Sequence, residues 1–193
     1  MRTFLHLLII LTLGLGLGGG LSWYSVQENH GFGALRIGGW TAWPLAGYQD
    51  ADPYTRAKVA AAGEVPLGAA EGVAFHARLD DDGKPLQREC AYLVKGQTPP
   101  ARLWTLTAHE LGGAALKQAN GSPSNAVSQQ LLRLANGQFE VHVGPRLAAG
   151  NWVETRGSGP YEMVMRLYDT PISSNSGASD TFMPSIEALG CDR

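Results

Sequence analysis

Residues 130–143 read QLLRLANGQFEVHV, and this stretch indicates the fold most clearly. The pair Asn136-Gly137 is typical of a tight hairpin turn, because both residue types tolerate the left-handed backbone that such turns require. After the turn, every second residue from Phe139 to Val143 is apolar, so these side chains share one face of a strand. We therefore predict a β-hairpin with strands at residues 130–134 and 138–143.

Alternation with a period of two recurs along most of the chain. The chain has 25 glycines and 11 prolines spread between these runs, which favours short strands joined by turns over long helices. After a turn at residues 80–85 (DDDGKP) the chain is expected to return directly in the next strand, and residues 172–180 (ISSNSGASD) are expected to form a flexible surface loop. Further strands are predicted at residues 35–37 (an edge strand), 73–77, 90–95, 102–109, 151–154 and 161–168.

One short helix is marked by its end residues. Asp52 is a good N-cap, Pro53 suits the first helical position, and Gly63 suits the position just after the end. The strands and this helix together predict a mainly β fold, specifically an antiparallel jelly-roll-like sandwich with one short N-terminal helix.

The N-terminal segment is apolar and almost uncharged. No Asp, Glu, Lys or Arg lies between Arg2 and Glu28, and residues 4–26 supply the roughly 20 apolar residues that cross a ~30 Å hydrocarbon core. We predict that residues 1–27 are a membrane anchor whose residues 4–26 contact the lipid bilayer, and that residues 28–193 form an exported β-domain. A cleaved signal peptide is the alternative, since Gly18-Gly19-Gly20 offers small residues to a peptidase.

The predicted location follows from the same segment. Arg2 and the terminal amine place the N-terminus in the cytoplasm, which makes the chain a single-pass inner-membrane protein with its C-terminal domain in the periplasm. Cleavage would instead release the domain into the periplasm. Without Arg2 the chain has 14 basic and 17 acidic residues. This scattered, mildly acidic charge gives no support to the binding of nucleic acid or of anionic lipid, which would need a clustered basic surface, and we predict no nucleic-acid partner.

The chain has two cysteines, Cys90 and Cys191. In an oxidising compartment the simplest interpretation is one disulfide, which would tie the C-terminal tail to a mid-chain strand. Two free buried thiols remain the alternative.

Seven motifs are distributed through the exported part of the chain: GWTAWP (39–44), DADPYTRAKVA (50–60), GEVPLG (63–68), PARLWTLT (100–107), GNWVET (150–155), MRLYDTP (165–171) and MPSIEALGC (183–191). Together they resemble the bacterial family called domain of unknown function 1214. The resemblance implies an all-β, jelly-roll-like unit, of the short membrane-anchored form that lacks the second domain of longer relatives. Residues 105–110 (TLTAHE) depart from the TLTLYD that such proteins often carry, and the family has no agreed catalytic residues to transfer.

Metal and nucleophile patterns are weak. His109-Glu110 begins like the zinc-binding pattern H-E-x-x-H, but Gly113 stands where the second histidine is needed. Convergence of His76, His109 and His142 on one sheet face is the less favoured interpretation of three scattered histidines. We therefore predict no catalytic residue, no metal and no cofactor.

A polar and aromatic cluster is the best candidate for a binding pocket. It would stack a sugar ring or an apolar ligand, whereas the simpler interpretation is helix capping by Asp52 and packing of the helix on the sheet. Its members are Trp40, Trp43, Asp50, Asp52, Tyr54 and Arg56.

Two functions remain open. The favoured one is a non-catalytic cell-envelope module that binds an envelope protein, a glycan or a lipid. The alternative is an envelope enzyme that acts on a glycan or a small metabolite. It would use paired carboxylates from Asp50, Asp52, Asp169 or Glu187.

Overall fold

Two β-sheets packed face to face form the body of the protein. The computed structural model describes residues 2–27, 33–63, 65–68, 71–119, 121–173 and 182–191. Its helices are α1 (Arg2–Gln27) and α2 (Pro53–Ala62), and a 3₁₀ turn covers Pro171–Ser173. Its strands are β1 (Leu35–Ile37), β2 (Trp40–Ala42), β3 (Gly72–Ala77), β4 (Cys90–Gly96), β5 (Leu103–His109), β6 (Asn125–Val127), β7 (Phe139–Gly144), β8 (Asn151–Glu154), β9 (Glu162–Tyr168) and β10 (Ser185–Cys191).

The strand order is not the chain order. One sheet has six strands in the order β1-β2-β3-β9-β5-β6, and the other has four in the order β10-β4-β7-β8. This confirms the mainly β prediction. Every pairing is antiparallel except that of β7 with β8, which is parallel because the connection at residues 145–150 carries the chain back alongside β7. The sheets are therefore mostly antiparallel, as expected, with this one parallel pair among the described strands.

The hairpin predicted around Asn136-Gly137 forms only in part. The turn is present, with the Gly137 amide donating to the Leu134 carbonyl at 2.9 Å and Gly137 at φ 79°. Residues before the turn do not form a strand, and only Arg133 makes an isolated bridge to Phe139. The reason is that β8 occupies the edge of β7 that the first arm of a hairpin would need.

The turn at residues 80–85 is also present, but the strands on either side of it separate. The Asp80 amide donates to the Lys84 carbonyl at 2.9 Å, which closes the turn. β3 then lies in the six-stranded sheet and β4 in the four-stranded sheet, so this turn connects the two sheets. The expected direct return within one sheet was therefore wrong.

The core fills the space between the sheets. The Trp104 ring of β5 stacks against the Phe139 ring of β7 with centroids 4.6 Å apart. The Trp40 indole nitrogen donates to the Pro184 carbonyl at 2.8 Å, which ties β2 to the segment before β10. These rings lie on the face of the six-stranded sheet that packs against the other sheet. The opposite, outer face of the six-stranded sheet is therefore outside this core.

Helix α2 has the predicted ends. The Asp52 carboxylate accepts from the amides of Tyr54 and Thr55 at 3.0 and 3.1 Å, and Pro53 is the first helical residue. Gly63 ends the helix in the left-handed conformation at φ 64°, with its amide donating to the Ala60 carbonyl. These caps satisfy backbone groups that a short helix would otherwise leave unpaired.

Helix α1 is long and apolar enough to cross a membrane. Residues Arg2–Tyr24 have a mean hydropathy of 2.0, and their side chains are exposed. The Thr12 hydroxyl is satisfied within the helix by the Leu8 carbonyl at 2.9 Å, which suits an apolar surrounding. An N-terminal signal sequence has the same length and composition, so either a membrane anchor or a signal fits this helix.

The two cysteines form the predicted disulfide. Cys90 and Cys191 are bonded and lie opposite one another in the β4–β10 pair, 101 residues apart in sequence. The C-terminal strand is thereby tied to the middle of the chain. Of the loop predicted at residues 172–180, only the first two residues lie within the described part, and Ile172 is buried in the 3₁₀ turn rather than exposed.

Candidate functional site

Polar side chains share the outer face of the six-stranded sheet. Strands β3, β9 and β5 lie side by side, and in each of them residues that face the core alternate with residues that face outward. The outward positions are mostly polar, and Ala74 and Val164 are the apolar exceptions in β3 and β9. The register aligns Glu162 with His109 and Arg166 with Ala74 and Thr105. The outward residues therefore form one cross-strand group, comprising His76, Arg78, Thr107, His109, Glu162 and Arg166.

Glu162 is a buried carboxylate at the centre of this group. It is 1% exposed, and its Oε2 accepts from the Arg78 Nε at 2.8 Å while Oε1 lies 3.6 Å from the His76 Nδ1. Burial by itself raises the pKa of this carboxyl, but the contacts with His76 and then with Arg78 outweigh burial, so the pKa is lowered. Glu162 is therefore held ionised and in a fixed position.

Arg166 is held by a second chain of contacts. The His109 Nδ1 lies 2.7 Å from the Gly113 carbonyl, and because a carbonyl only accepts, Nδ1 carries the proton. The His109 Nε2 lies 2.9 Å from the Thr107 hydroxyl and 3.5 Å from the Arg166 Nη1. This chain fastens the 110–114 loop to the sheet and orients the guanidinium of Arg166.

A cleft of about 520 Å³ lies over these polar residues. We call it the sheet-face cleft. Its floor includes His76, Arg78, Glu162 and Arg166, and its walls are mostly apolar. The wall residues come from α2, from the segments on either side of that helix and from the 111–114 loop: Trp43, Pro44, Ala46, Thr55, Val59, Val65, Pro66, Leu67, Leu111 and Ala114.

The wall formed by residues 65–67 is held close by a glycine. A Cβ at Gly47 would lie 2.0 Å from the Leu67 carbonyl oxygen, so only glycine allows the two segments to meet there. Where the wall meets the floor, the Trp43 and His76 rings meet edge to face with centroids 6.2 Å apart. The cleft is thus enclosed by packed side chains on two sides.

The predicted pocket residues do not lie together in one place. Trp43 lines the sheet-face cleft, but Trp40 is 1% exposed in the core. Asp52 caps α2, and its hydrogen bond from the Thr55 hydroxyl lowers its pKa. Asp50, Tyr54 and Arg56 are exposed and do not line the cleft.

The four carboxylates considered for catalysis are also apart from the cleft. Glu187 lies on β10 in the other sheet, paired with Lys95 at 2.7 Å, and Asp52 is used by the helix cap. Asp50 and Asp169 are exposed, and none of the four lines the cleft. Among the described lining residues Glu162 is the single carboxylate, so a glycosidase-type carboxylate pair is not assembled there.

The three histidines considered for a metal site fall on two sheets. His76 and His109 lie on the outer face of the six-stranded sheet, whereas His142 lies on β7 of the four-stranded sheet. Within the described ranges, no three His, Cys, Asp or Glu residues are grouped as metal ligands.

Glu162 and Arg78 are the site residues that sequence reasoning missed. The signal was the polar side of each strand: Glu162 and Arg166 alternate with Met163 and Met165 in YEMVMRLY, and His76 and Arg78 extend the alternation of β3. These side chains can be recognised as one site only when the order of the strands in the sheet is known. Strands β3, β9 and β5 are neighbours in the sheet but lie far apart in the chain.

Comparison with known proteins identifies a family. Residues 71–172, which include β3 to β9 and the whole polar group, match the family described as "Protein of unknown function (DUF1214)". No curated protein gave a significant sequence match.

Two solved structures are similar to the chain. The VPA0106 protein from Vibrio parahaemolyticus is 17% identical with a TM-score of 0.58, over 72% of this chain and 36% of its own. A putative uncharacterized protein from Burkholderia cenocepacia is 18% identical with a TM-score of 0.41, over 75% of this chain and 46% of its own. The first likeness supports the fold, and this chain spans less than half the length of either protein.

Proposed function

The chain belongs to the DUF1214 family of proteins of unknown function, and from that starting point we propose that it is a membrane-anchored cell-envelope protein whose β-domain binds a small ligand in the sheet-face cleft. The observation that carries the proposal is the cleft itself. Its volume of about 520 Å³ lies within the range of small-molecule sites, which are mostly apolar with a few fixed polar groups. For the fold, the finer description as a jelly-roll-like sandwich stays a proposal that rests on the two facing sheets.

The proposed location rests on two features. Helix α1 has an apolar stretch over residues 2–24 that is long enough to span a bilayer, and the leucines and isoleucines of this stretch are exposed. The Cys90–Cys191 disulfide suits an oxidising compartment such as the periplasm. A binding role is favoured over catalysis because the polar groups of the cleft floor are engaged with one another, and no carboxylate pair lies beside them in the described lining.

The binding proposal is tested by filling the cleft. Ala74 points outward from β3 onto the cleft floor, so Ala74→Phe would occupy the ligand volume without entering the core. Ala149→Phe, at an exposed position in the 145–150 loop, is the matched control. The full-length proteins are purified from membranes under mild conditions, and native mass spectrometry records small molecules that remain bound.

We expect wild type and Ala149→Phe to retain the same bound molecule and Ala74→Phe to lose it, with the thermal unfolding midpoint of Ala74→Phe preserved. Equal retention by Ala74→Phe would contradict the proposal, because the bound molecule would then lie elsewhere.

The location is tested separately by fractionation. We expect the protein to stay in the membrane fraction after alkaline extraction and its mass to include residues 2–27. Soluble protein with a mature N-terminus near Leu21 would show that the segment is a removed signal.

A further inference from the structure

We propose that the sheet-face cleft takes an anionic amphiphile, a molecule with one carboxylate or phosphate group and an apolar chain, and that Arg166 binds the anionic group. The inference rests on the proposed function and names the chemical class of its ligand. Two observations of the cleft support it, the charge of the floor and the apolar mouth, and the position of helix α1 adds a third that rests on the proposed membrane anchor.

The first observation is that the floor carries a cation without a carboxylate partner. Arg78 is neutralised by Glu162 at 2.8 Å. Arg166 contacts the Thr107 hydroxyl at 3.4 Å and the His109 Nε2 at 3.5 Å, and in the described part of the chain no carboxylate pairs with it. A half-buried guanidinium in this state offers a planar fork of donors that matches a carboxylate or a phosphate.

The neighbours of Arg166 do not neutralise its positive charge. His109 donates through Nδ1 to the Gly113 carbonyl, so in its neutral form Nε2 is an acceptor that faces the guanidinium. Thr107 adds a hydroxyl and no charge. Both groups therefore position Arg166 without neutralising it, and the cleft floor keeps an excess of positive charge.

The second observation is that the cleft mouth is apolar. Val65 lines the cleft and is 95% exposed, and Leu111 lines it and is 43% exposed. Val59 and Leu67 continue the same surface inward. A small hydrophilic anion would gain nothing from these side chains, whereas an alkyl chain that leaves the Arg166 end of the cleft would bury them.

The third observation places the cleft beside the anchor. Helix α2 supplies Thr55 and Val59 to the wall, and its backbone comes within 8 Å of the backbone of helix α1. If α1 spans the bilayer, the α2 wall lies near the membrane surface. An amphiphile that leaves the bilayer would then enter the cleft without crossing open water.

The test uses the full-length protein in phosphatidylcholine nanodiscs and short soluble probes. Octanoate, octyl phosphate, octanol, acetate and inorganic phosphate are titrated by calorimetry, with empty nanodiscs correcting for partition into lipid. Octanoate and octyl phosphate should each bind at least about tenfold more tightly than octanol, because hydrogen bonds to a charged group exceed one tenfold step in affinity. They should exceed acetate and inorganic phosphate by at least about the same factor, because only the octyl chain buries the apolar mouth of the cleft.

Arg166→Gln should weaken octanoate binding about tenfold and leave octanol unchanged, since a neutral amide cannot replace the charge. The control Arg102→Gln changes an exposed arginine outside the cleft and should leave every affinity unchanged. A second variant changes a residue outside the sheet, so its effect does not depend on the stability of the sheet. Val65→Asp at the exposed mouth should also weaken octanoate binding. Its control is Leu147→Asp, at an 82% exposed position in the 145–150 loop, which should leave octanoate binding unchanged.

The role of Arg166 would be overturned if octanol bound as tightly as octanoate, or if the Arg166→Gln protein bound octanoate as tightly as wild type. Neither outcome would affect the result of the Ala74→Phe experiment. Acetate or inorganic phosphate binding as tightly as octanoate would identify a soluble anion as the ligand and overturn the amphiphile. Failure of every probe would overturn the inference, and the proposed function would still be decided by Ala74→Phe, because that experiment presupposes no ligand class.

Discussion

The guanidinium of Arg78 reaches across from the end of β3 to the carboxylate of Glu162 at the start of β9, with Nε 2.8 Å from Oε2. The two partners are unequal: the Glu162 side chain is 2% exposed, whereas that of Arg78 is 36% exposed. Removal of one partner therefore has a different consequence from removal of the other. Arg78 can turn to water, but Glu162 cannot.

The first prediction follows from this inequality. Arg78→Met leaves a buried carboxylate with only His76 beside it, and we expect it to cost about 2–4 kcal/mol of unfolding free energy. Glu162→Gln leaves a guanidinium that water can reach and should cost less than Arg78→Met. Urea denaturation of the solubilised full-length protein measures both.

The control for these variants is an exposed ion pair. Lys84 and Asp82 lie 3.2 Å apart with side chains 72% and 70% exposed. Lys84→Met should change stability by less than about 0.5 kcal/mol. Should Arg78→Met prove as mild as Lys84→Met, the buried pair would not be the stabilising contact described here.

The second prediction concerns pH. The pKa of Glu162 is lowered in the folded protein, so its ionised form contributes stability that is fully present above the unfolded-state pKa of about 4.3. This contribution is lost as the pH falls through the lowered folded-state pKa, because the protonated carboxyl has no charge to pair with Arg78 and His76. The stability of wild type relative to Glu162→Gln should decline on going from pH 6 to pH 3.

The difference between the two proteins isolates this group from Asp52, whose pKa is also lowered and which both proteins retain. A difference in unfolding free energy that stays constant across this interval would show that Glu162 does not titrate as described.

The third prediction is that His109 acts on ligands through Arg166. His109→Phe keeps the ring volume but removes the contacts with the Gly113 carbonyl and with the Arg166 Nη1. We expect octanoate affinity to fall about three- to tenfold, the range of a lost positioning hydrogen bond. In the double variant His109→Phe/Arg166→Gln the loss should equal that of Arg166→Gln alone.

A purely structural role of His109 would give a different pattern. Its effect on affinity would then add to that of Arg166→Gln, and octanol binding would fall along with octanoate binding.

The fourth prediction concerns the disulfide between Cys90 and Cys191, which closes a loop with a sequence separation of 101. The loop-entropy relation gives about 4–5 kcal/mol for a loop of this length, and removal of native disulfides typically costs about 2–5 kcal/mol. The Cys90→Ser/Cys191→Ser protein should therefore unfold at lower urea than wild type, and reductant should lower only the wild-type midpoint. An unchanged midpoint in the double variant would show that β10 is held by its pairing with β4 alone.

The sequence predicted strands well and their arrangement poorly, for physical reasons. Local alternation and caps determine whether a segment forms a strand or a helix, which is why β3, β5 and α2 have the predicted positions. Strand order is determined by packing between segments far apart in the chain. β9 inserts between β3 and β5, and no local pattern encodes that insertion.

The candidate site depended on the same long-range order. The sequence suggested a pocket around Trp43 and Asp52 because these residues are close in the chain, yet Asp52 is used by the helix cap. The polar floor of the cleft instead combines His76 and Glu162, which lie 86 positions apart in the numbering and meet only once β3 pairs with β9. Trp43 alone belongs to both the predicted pocket and the observed cleft.

The last prediction concerns Asn151, whose side chain explains why the hairpin before Phe139 is incomplete. Its amide accepts from the Leu132 backbone nitrogen and donates to the carbonyls of Leu132 and Glu140, each at 2.8 Å. These bonds attach the 131–134 segment to the start of β8. They hold the segment in place of the strand pairing that a complete hairpin would make. Asn151→Ala should cost about 1–3 kcal/mol of unfolding free energy and speed hydrogen exchange at the Leu132 amide.

The matched control is Asn151→Asp, which loses the two donated bonds but keeps the acceptor for the Leu132 amide. It should therefore protect that amide from exchange. Equal exchange at Leu132 in all three proteins would mean that the segment is held without Asn151, by the Arg133–Phe139 bridge and the bond from the Leu134 amide to the Gln138 carbonyl.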